Sequence, residues 1–442
     1  MRVMRKMTIV FMAILLTSTL TWGNGLNLNS LGTRALTMGG AFVGLADDFS
    51  AIFWNPAGAA FFKQKYFGFY GTDLIPSSTY ELTMDVPVIG PFTLVDAKTK
   101  SKHYLGGLAA YYHPLTPNIV AGFGIYTPSG LGAEWNGSDF APIAENNPAI
   151  KWRSKIGMVS FSPLIAVKLS EKIALGATFN LNYGLFDIAM HAGTADVPIP
   201  VAPYYMEVDL GQYEESMKGW GYGATFGLMV KPSEMFSFGA TVKTATTIKF
   251  KGDAFISNLN QLGANSKSDV EREVTWPMWV AAGLAIRPLP ELTITADIQW
   301  TQWSKLDKMH TDFKDPFWQV MMAASGDDER PLYWDDATQF RFGAEYNFNT
   351  FAVRAGYYYD PTPTPEKTMN VLLPSYTFNV FTFGFGYKLD GLQIDFGLEY
   401  LKGKEREVPF EKVLLDPEYE AAMPGVYNMT ILVPNLSISY RF

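Results

Sequence analysis

The chain of 442 residues has no cysteine, which removes disulfides, thiolate nucleophiles and zinc–thiolate sites together. Histidine is nearly as scarce, with four residues at positions 103, 113, 191 and 310, so His-rich metal or general-base chemistry is poorly supplied. Charged residues reach 18%, below the roughly 25% of ordinary soluble domains. The net charge is -8, from 35 basic against 43 acidic residues, with no basic block anywhere, and this excludes a nucleic-acid surface. Past residue 23 no run of 18 apolar residues exists, so no helix is available to cross a membrane. Aromatic residues, by contrast, make up 15%, which excludes disorder.

The first 23 residues differ from the rest. Arg2, Arg5 and Lys6 precede an apolar run over 7–16, followed by small residues to Gly23. This reads as a signal peptide with its mature start near Asn24, within a few residues, and so as an exported protein.

What replaces the missing helices is period-two alternation. Leu292, Ile294, Ala296, Ile298 and Trp300 fall on one face, and Thr293, Thr295, Asp297, Gln299 and Thr301 on the other, as in a strand with one dry and one wet side. The pattern recurs in about fourteen segments: 66–76, 103–113, 119–132, 158–168, 173–190, 219–231, 235–250, 272–287, 291–304, 337–348, 350–360, 376–388, 391–403 and 427–442. Short turns follow every even segment and long loops every odd one. Short turns on one side and long loops on the other are the signature of an all-β, transmembrane antiparallel barrel in the bacterial outer membrane, with the short side periplasmic. A soluble β-sandwich or propeller predicts shorter strands and loops of mixed length. In lipid an open sheet edge is forbidden, so the sheet is expected to close.

A barrel of that size leaks unless something fills it. Residues 24–65 suit a lumen plug, since Gly32, Gly39, Gly40, Gly44 and Gly58 permit close backbone packing while Phe42, Phe49, Ile52, Phe53 and Trp54 need a dry place. Asp47 or Asp48 is placed to cap a short helix ending before Pro56. The alternative is a disordered periplasmic arm. The expected organisation is a leader over 1–23, a plug over 24–65 and the barrel over 66–442.

Within this plug, Gly32, Thr33 and Arg34, then Gly39, Gly40 and Gly44, then Ala46, Asp47 and Asp48, and finally Asn55, Pro56 and Ala57 follow one another in an order that resembles the N-terminal hatch of the FadL/TodX outer-membrane transporters of long-chain fatty acids and hydrocarbons. The likeness extends to Tyr126, Pro128, Ser129, Gly130 and Gly132 in the third segment, Trp276 and Pro277, residues 357–361, and Leu373 and Pro374. It implies a monomeric channel without cofactor or metal. A hydrophobic small molecule is caught among the extracellular loops, enters an apolar lumen pocket and leaves sideways through a kinked third strand into the outer membrane. Asn55, Pro56 and Ala57 are then the hatch motif, and 126–132 the candidate lateral gate. Pro128 supports a kink physically, having no N–H to give a ladder; the other reading is that Pro128 begins the extracellular loop.

Two loop segments are apolar although assigned to the aqueous side: Val197, Ile199, Tyr204, Tyr205 and Met206 in one, Phe317, Trp318 and Met321 in the other. Such patches mark either binding surface or mutual packing, and methionine with aromatics suits flexible apolar ligands. Lumen-facing Arg341, Glu345, Arg354, Asp297, Asp395 and Glu399 form either a salt-bridge network or a seat for a carboxylate head group. Outer-membrane lipid or lipopolysaccharide is the expected surroundings. A general diffusion porin does not need an apolar plug. An outer-membrane hydrolase needs a Ser or Asp beside a His, a constellation that cannot be assembled here.

Overall fold

The computed structural model describes residues 25–198 and 205–442. The leader, the mature start near Asn24 and the loop positions Ile199 and Tyr204 lie outside the described residues. Fourteen strands form one closed antiparallel barrel. They are β1 (Tyr66–Val86), β2 (Tyr104–Thr116), β3 (Ile119–Trp135), β4 (Trp152–Ser170), β5 (Ile173–His191), β6 (Gln212–Val230), β7 (Phe236–Lys243 continued by Thr246–Ile256), β8 (Lys267–Trp276 continued by Trp279–Leu289), β9 (Leu292–Thr301), β10 (Ala337–Phe348), β11 (Phe351–Asp360), β12 (Phe378–Leu389), β13 (Leu392–Gly403) and β14 (Gly425–Arg441). Closure runs through β1 and β14, with Tyr66 opposite Arg441 and Tyr80 opposite Tyr427. Every strand thus has two neighbours, as hydrocarbon surroundings demand.

The alternation predicted from sequence sorts the side chains as expected. On β12, Phe381, Phe383 and Phe385 face outward while Val380 and Thr382 are buried. Short turns join even strands to the next odd one. Asp390 and Gly391 do so with φ of 42° and 84°, the positive pair that a two-residue hairpin requires.

Several strands run further than the sequence suggested, β1 to Val86 and β6 from Gln212. On β6 the inward positions of the added part carry paired charge, so the hydrophobic period fades there, whereas β1 keeps its period through Tyr80 and Leu82 beyond the inward Ser78. Glu215 on β6 accepts from Arg272 of β8 at 2.7 and 2.9 Å inside the wall. β3 also continues past Pro128, to Trp135, so this proline does not open the loop.

Residues 25–65 lie within the barrel and touch the wall nearly all the way round. They contain α1 (Thr33–Thr37), α2 (Ala51–Trp54) and a 3₁₀ turn (Pro56–Phe61). At many of their closest approaches to the wall, the wall residue is glycine. Phe49 lies on Gly68, Asn55 and Pro56 on Gly227 and Gly176, Val43 on Gly239, Gly44 on Gly283, Met38 and Gly39 on Gly343 and Gly356, and Thr37 on Gly384 and Gly397. A Cβ at Gly239 would stand 2.0 Å from the Val43 carbonyl oxygen, and one at Gly356 2.0 Å from the Gly39 nitrogen. Gly39 itself has φ of 65° and passes so close to β10 that a Cβ would lie 2.5 Å from the Phe342 oxygen, so glycine is required there for both conformation and space.

The strand order places the α3 helix (Pro316–Ser325) on the long-loop side and the β10–β11 turn at Asn349 on the other. An epitope inserted beside Ser325 is expected to be labelled by antibody on intact cells and one at Asn349 only after the outer membrane is permeabilised. The opposite pattern would invert the orientation.

Candidate functional site

The ladder of β3 is broken where its proline sits. Tyr126 pairs with Ser160 of β4 and Ser129 with Met158, leaving Thr127 and Pro128 opposite Val159 alone. This two-against-one arrangement is a β-bulge. On the other side, β3 leaves β2 after the pair Tyr126 and Leu108. The Thr127 hydroxyl takes over the ladder for one step, accepting from Gly107 N–H at 2.9 Å and donating to the Gly107 carbonyl at 3.3 Å. Contact with the wall resumes above, where Lys100 N–H donates to the Glu134 carbonyl at 2.8 Å and Thr99 bridges Trp135. Between these points residues 128–133 have no β2 partner.

The hatch segment occupies that empty strand position from within. Leu28 N–H donates to the Pro128 carbonyl at 3.0 Å and Gly130 N–H to the Leu26 carbonyl at 3.1 Å, making Asn27 and Ser129 an antiparallel bridge. Ser129 Oγ also donates to the Leu26 carbonyl and accepts from Trp276 Nε1 at 2.7 Å. Gly132 continues the pairing with β4, opposite Lys155.

Behind the bulge is a lumen cavity. Its far wall is a second irregularity, where β7 breaks at Thr244 and Ala245 and β8 breaks beside it at Pro277 and Met278; a proline has no donor for a ladder. Phe53, Tyr126, Trp276 and Trp279 supply aromatic lining, Leu28, Met158 and Pro128 aliphatic lining, and Ser160, Asn180, Asn182 and Gln299 polar groups. Tyr126 packs edge-on against Phe53 and its hydroxyl accepts from Ser162 at 3.1 Å. The centre of a water molecule can reach only about 40 Å³ of this cavity, whereas small-molecule pockets hold about 300–1,000 Å³. The site is closed in this conformation, with Asn27, Leu28 and Asn29 of the hatch forming one of its walls.

One residue here was not singled out from the sequence. Lys243 lines the cavity with its ammonium 4.1 Å from the centre of the Phe53 ring and 5.1 Å from that of Trp279, and it makes no ion pair among the described residues. Two aromatic faces stabilise a cation only partly. The signal was available, because Ser237, Gly239 and Thr241 face inward and period two carries that parity to position 243.

The sequence profile described as "Outer membrane protein transport protein (OMPP1/FadL/TodX)" matches residues 14–442. The chain belongs to this family. It is similar to outer membrane protein P1 of Haemophilus influenzae, at 22% identity over 416 residues and 85% of either chain. It is also similar to the long-chain fatty acid transport protein of Escherichia coli O6:H1, at 22% over 433 residues, 89% of this chain and 90% of the relative. Among solved structures, a Pseudomonas aeruginosa FadL homologue superposes with a TM-score of 0.75 at 16% identity, covering 95% of this chain and 100% of the other. The toluene transporter TodX of P. putida gives 0.68 at 18%, covering 94% and 99%. As a FadL/TodX protein the chain resides in the outer membrane.

The motif that resembles the FadL/TodX hatch has a plain physical basis. Asn55 is the N-cap of the 3₁₀ turn, its Oδ1 accepting from Ala57 N–H at 3.1 Å, with Pro56 in the first position where a missing N–H costs nothing. Its Nδ2 donates to the Val43 carbonyl at 3.0 Å and to the Leu228 carbonyl of β6 at 2.9 Å, so one amide fastens two parts of the hatch to the wall. Ahead of it, Asp48 Oδ1 accepts from Ser50 N–H at 2.8 Å and from the Ser50 hydroxyl at 2.6 Å, at the start of α2.

Three of the six lumen-facing charges, Glu345, Arg354 and Asp395, join Arg34 in an ion-pair chain, while Arg341, Asp297 and Glu399 are held by neutral partners. Arg34 of the hatch grips Glu345 of β10 through two bonds of 2.7 and 2.8 Å and also pairs with Asp47. Glu345 accepts in turn from Arg354 at 2.5 Å, and Arg354 reaches Asp395 at 2.8 Å. Arg341 is held by Gln339 and the Gly39 carbonyl, and Asp297 accepts from Val43 N–H at 2.7 Å. Glu399 accepts from the Tyr358 hydroxyl at 2.6 Å. Arg354 is thus taken up by carboxylates, whereas Arg341 makes no ion pair among the described residues and spends its donors on neutral acceptors.

The loop candidates do not join the cavity. Trp318 is fully buried, stacked on Phe313 and donating to the Asn265 carbonyl at 2.7 Å, so it builds the core of its loop. Phe317 is exposed on the same helix, with Met321 half-buried. Tyr205 and Met206 are exposed on one arm of a hairpin (Thr194–Pro198 with Tyr205–Asp209), Val197 pairing with Met206.

Burial pushes the Asp48 carboxyl up to about 6, against the pull of Arg34 and Ser50. A raised carboxylate stabilises the fold fully below its unfolded value near 3.9, and that contribution disappears as pH rises through about 6. Asp48→Asn keeps an acceptor for Ser50 without the charge. It is expected to strengthen hatch protection against hydrogen exchange at pH 8, by at most about 3 kcal/mol, and to leave protection unchanged at pH 4; weaker protection at pH 8 would contradict the assignment.

Proposed function

We propose that this chain carries hydrophobic small molecules inward across the outer membrane: extracellular loops capture them, the cavity between β3 and β7 holds them, and they leave sideways between β2 and β3. The reading assigns no catalysis and needs one barrel only, since cavity, hatch and window belong to a single chain. The observation that supports it is the window itself. Residues 128–133 lack a partner on the β2 side, and residues 26–28 of the hatch pair with 128–130 from within. Withdrawal of that short segment would enlarge the cavity and uncover the window in one movement.

Energetics favour the sideways route. Exit along the axis leads through the hatch into water, where each CH₂ costs about 0.8 kcal/mol to expose, so a twelve-carbon chain meets roughly 10 kcal/mol. A window into lipid avoids that cost. The bulge lies level with Trp220 on the outer face, by the pairs Val159 with Tyr183 and Tyr183 with Trp220, and outward aromatics mark the lipid boundary. A porin reading is disfavoured because the hatch fills the lumen to contact.

Lys243 supports a ligand with an anionic end, a long-chain fatty acid in preference to a neutral hydrocarbon. An ammonium without a carboxylate, set among apolar side chains, is a poor wall for toluene and a good seat for a head group.

The window is tested by removing the extra residue. Deleting Pro128 places Thr127 opposite Val159 and keeps Ser129 opposite Met158, so the inward and outward parity of β3 is unchanged. The barrel is expected to assemble and bind ligand, and uptake to be lost. Uptake that persists in a variant with continuous β2–β3 pairing would refute lateral exit here. The substrate is tested with Lys243→Met, which should weaken fatty-acid binding by about 10- to 100-fold, the worth of a lost charge-assisted bond. An equal loss for an alkane of the same length would remove the head-group role.

A further inference from the structure

The outward faces of β4, β5, β6 and β7 carry an arrangement the transport reading does not use. An aromatic row crosses them, with Tyr183 4.8 Å from Trp220 and Phe161 6.3 Å from Trp220 between ring centres. Rows of this kind sit at the level where hydrocarbon meets head groups. Immediately above, toward the long loops, the same faces turn cationic. Lys218 stands two residues beyond Trp220 on β6 and opposite Lys251 of β7. Lys155 of β4 is one row higher, opposite Asp187 of β5. Two residues along a strand rise about 7 Å, which places these ammonium groups just outside the hydrocarbon.

Most cations nearby are already engaged. Lys249 pairs with Glu273 at 2.8 Å, Lys251 with Glu271 at 2.6 Å, and Lys151 with Glu214 at 2.9 Å. The acid opposite Lys155 is itself occupied, Asp187 accepting from the Ser216 hydroxyl at 2.7 Å. Lys155 and Lys218 make no ion pair among the described residues, and their neighbours Ser154, Ile156 and Met217 are buried, so both side chains point outward. Above them a groove of about 310 Å³ opens between Lys100, Glu134, Lys151 and Arg153.

We propose that this face binds the phosphorylated head group of an outer-leaflet glycolipid, Lys155 and Lys218 each meeting one phosphate and the groove receiving the adjoining sugars. The two lysines lie on strands two apart, about 10 Å sideways, and one row of about 7 Å apart along the strands, a spacing at which each ammonium can meet a phosphate of its own. That spacing suits a head group with phosphates on two linked sugars and does not suit a phospholipid with one. The aromatic row below supplies a surface for its acyl chains. The site lies on the outside of the wall and does not depend on what passes through the lumen.

The test is binding of bisphosphorylated lipid A to the full-length barrel in detergent, read by native mass spectrometry, with dephosphorylated lipid A, phosphatidylglycerol and inorganic phosphate as comparisons. Lys155→Gln with Lys218→Gln should lower the affinity for bisphosphorylated lipid A about tenfold or more and leave that for dephosphorylated lipid A unchanged. Lys155→Arg with Lys218→Arg should restore it, and Lys249→Gln should change little. Retained resistance to unfolding in unheated SDS identifies variants whose barrel is intact. Equal affinity in the glutamine variant would overturn the proposal, as would binding of phosphatidylglycerol or inorganic phosphate as tight as that of bisphosphorylated lipid A.

Discussion

A backbone N–H or C=O exposed to hydrocarbon has no water to turn to, and this constraint decides most of what the chain can be. Thirteen hairpin or loop connections and one closure between β1 and β14 satisfy it for the wall. The departures from the ladder are therefore the informative places. At Thr127 and Pro128 the missing β2 partner is replaced first by a threonine hydroxyl and then by residues 26–28. At Thr244 the break in β7 is bridged by a hydroxyl accepting from Ala224 N–H at 2.9 Å. Each substitute is local and uses the lumen side, so the lipid side stays regular except at the window.

Filling the lumen imposes the complementary demand. A barrel of this size cannot be packed by its own inward side chains, and here it admits a second piece of backbone instead. Backbone reaches backbone only where side chains are absent, which is why glycines of the wall and glycines of the hatch meet at Gly283 with Gly44 and at Gly356 with Gly39. The buried charges follow from the same packing. Arg34 enters a dry space and needs Glu345 and Asp47 around it, since an unpaired charge there would be strongly destabilising.

The strands were legible because alternation is a local property; Leu292, Ile294 and their successors state which face is dry without reference to any neighbour. The hatch was legible through its glycines and through Asn55 and Pro56, whose capping chemistry is also local; the cap expected of Asp47 or Asp48 is not made, since Ser50 is the N-cap of α2, Asp48 binds Ser50 and Asp47 pairs with Arg34. What escaped depends on register. The cavity joins β3 to β7 and β8, and no pattern within one strand tells which residues of another will face it. Lys243 could be assigned to the inward face, but its lack of an ion pair among the described residues emerges only when the strands are aligned. Trp318 misled for a related reason. An apolar run over 317–322 looks alike whether it covers itself or waits for a ligand, and the Asn265 carbonyl that settles it is far away in the chain. The upper end of β6 was missed because inward charges such as Glu215 erase the contrast between faces, and that of β1 because the inward Ser78 interrupts the apolar face before Tyr80 and Leu82 resume it.

The charged clasp of the hatch is placed eccentrically. Arg34 is fastened to β10, and Asp47 reaches Arg287 of β8 at 3.4 Å and Arg441 of β14 through its carbonyl at 3.1 Å. The window lies between β2 and β3, about half the circumference away from β10. On that side the hatch is held by single neutral bonds, such as Ile52 N–H to the Tyr112 hydroxyl at 3.0 Å, and by the short pairing at Leu26 and Leu28. The hatch is thus hinged on one flank and latched on the other. On the proposed sideways route, a swing about the ionic flank would free the window side without separating Arg34 from Glu345 and Asp47, so the passage would open through a tilt of the plug that leaves it attached to the wall.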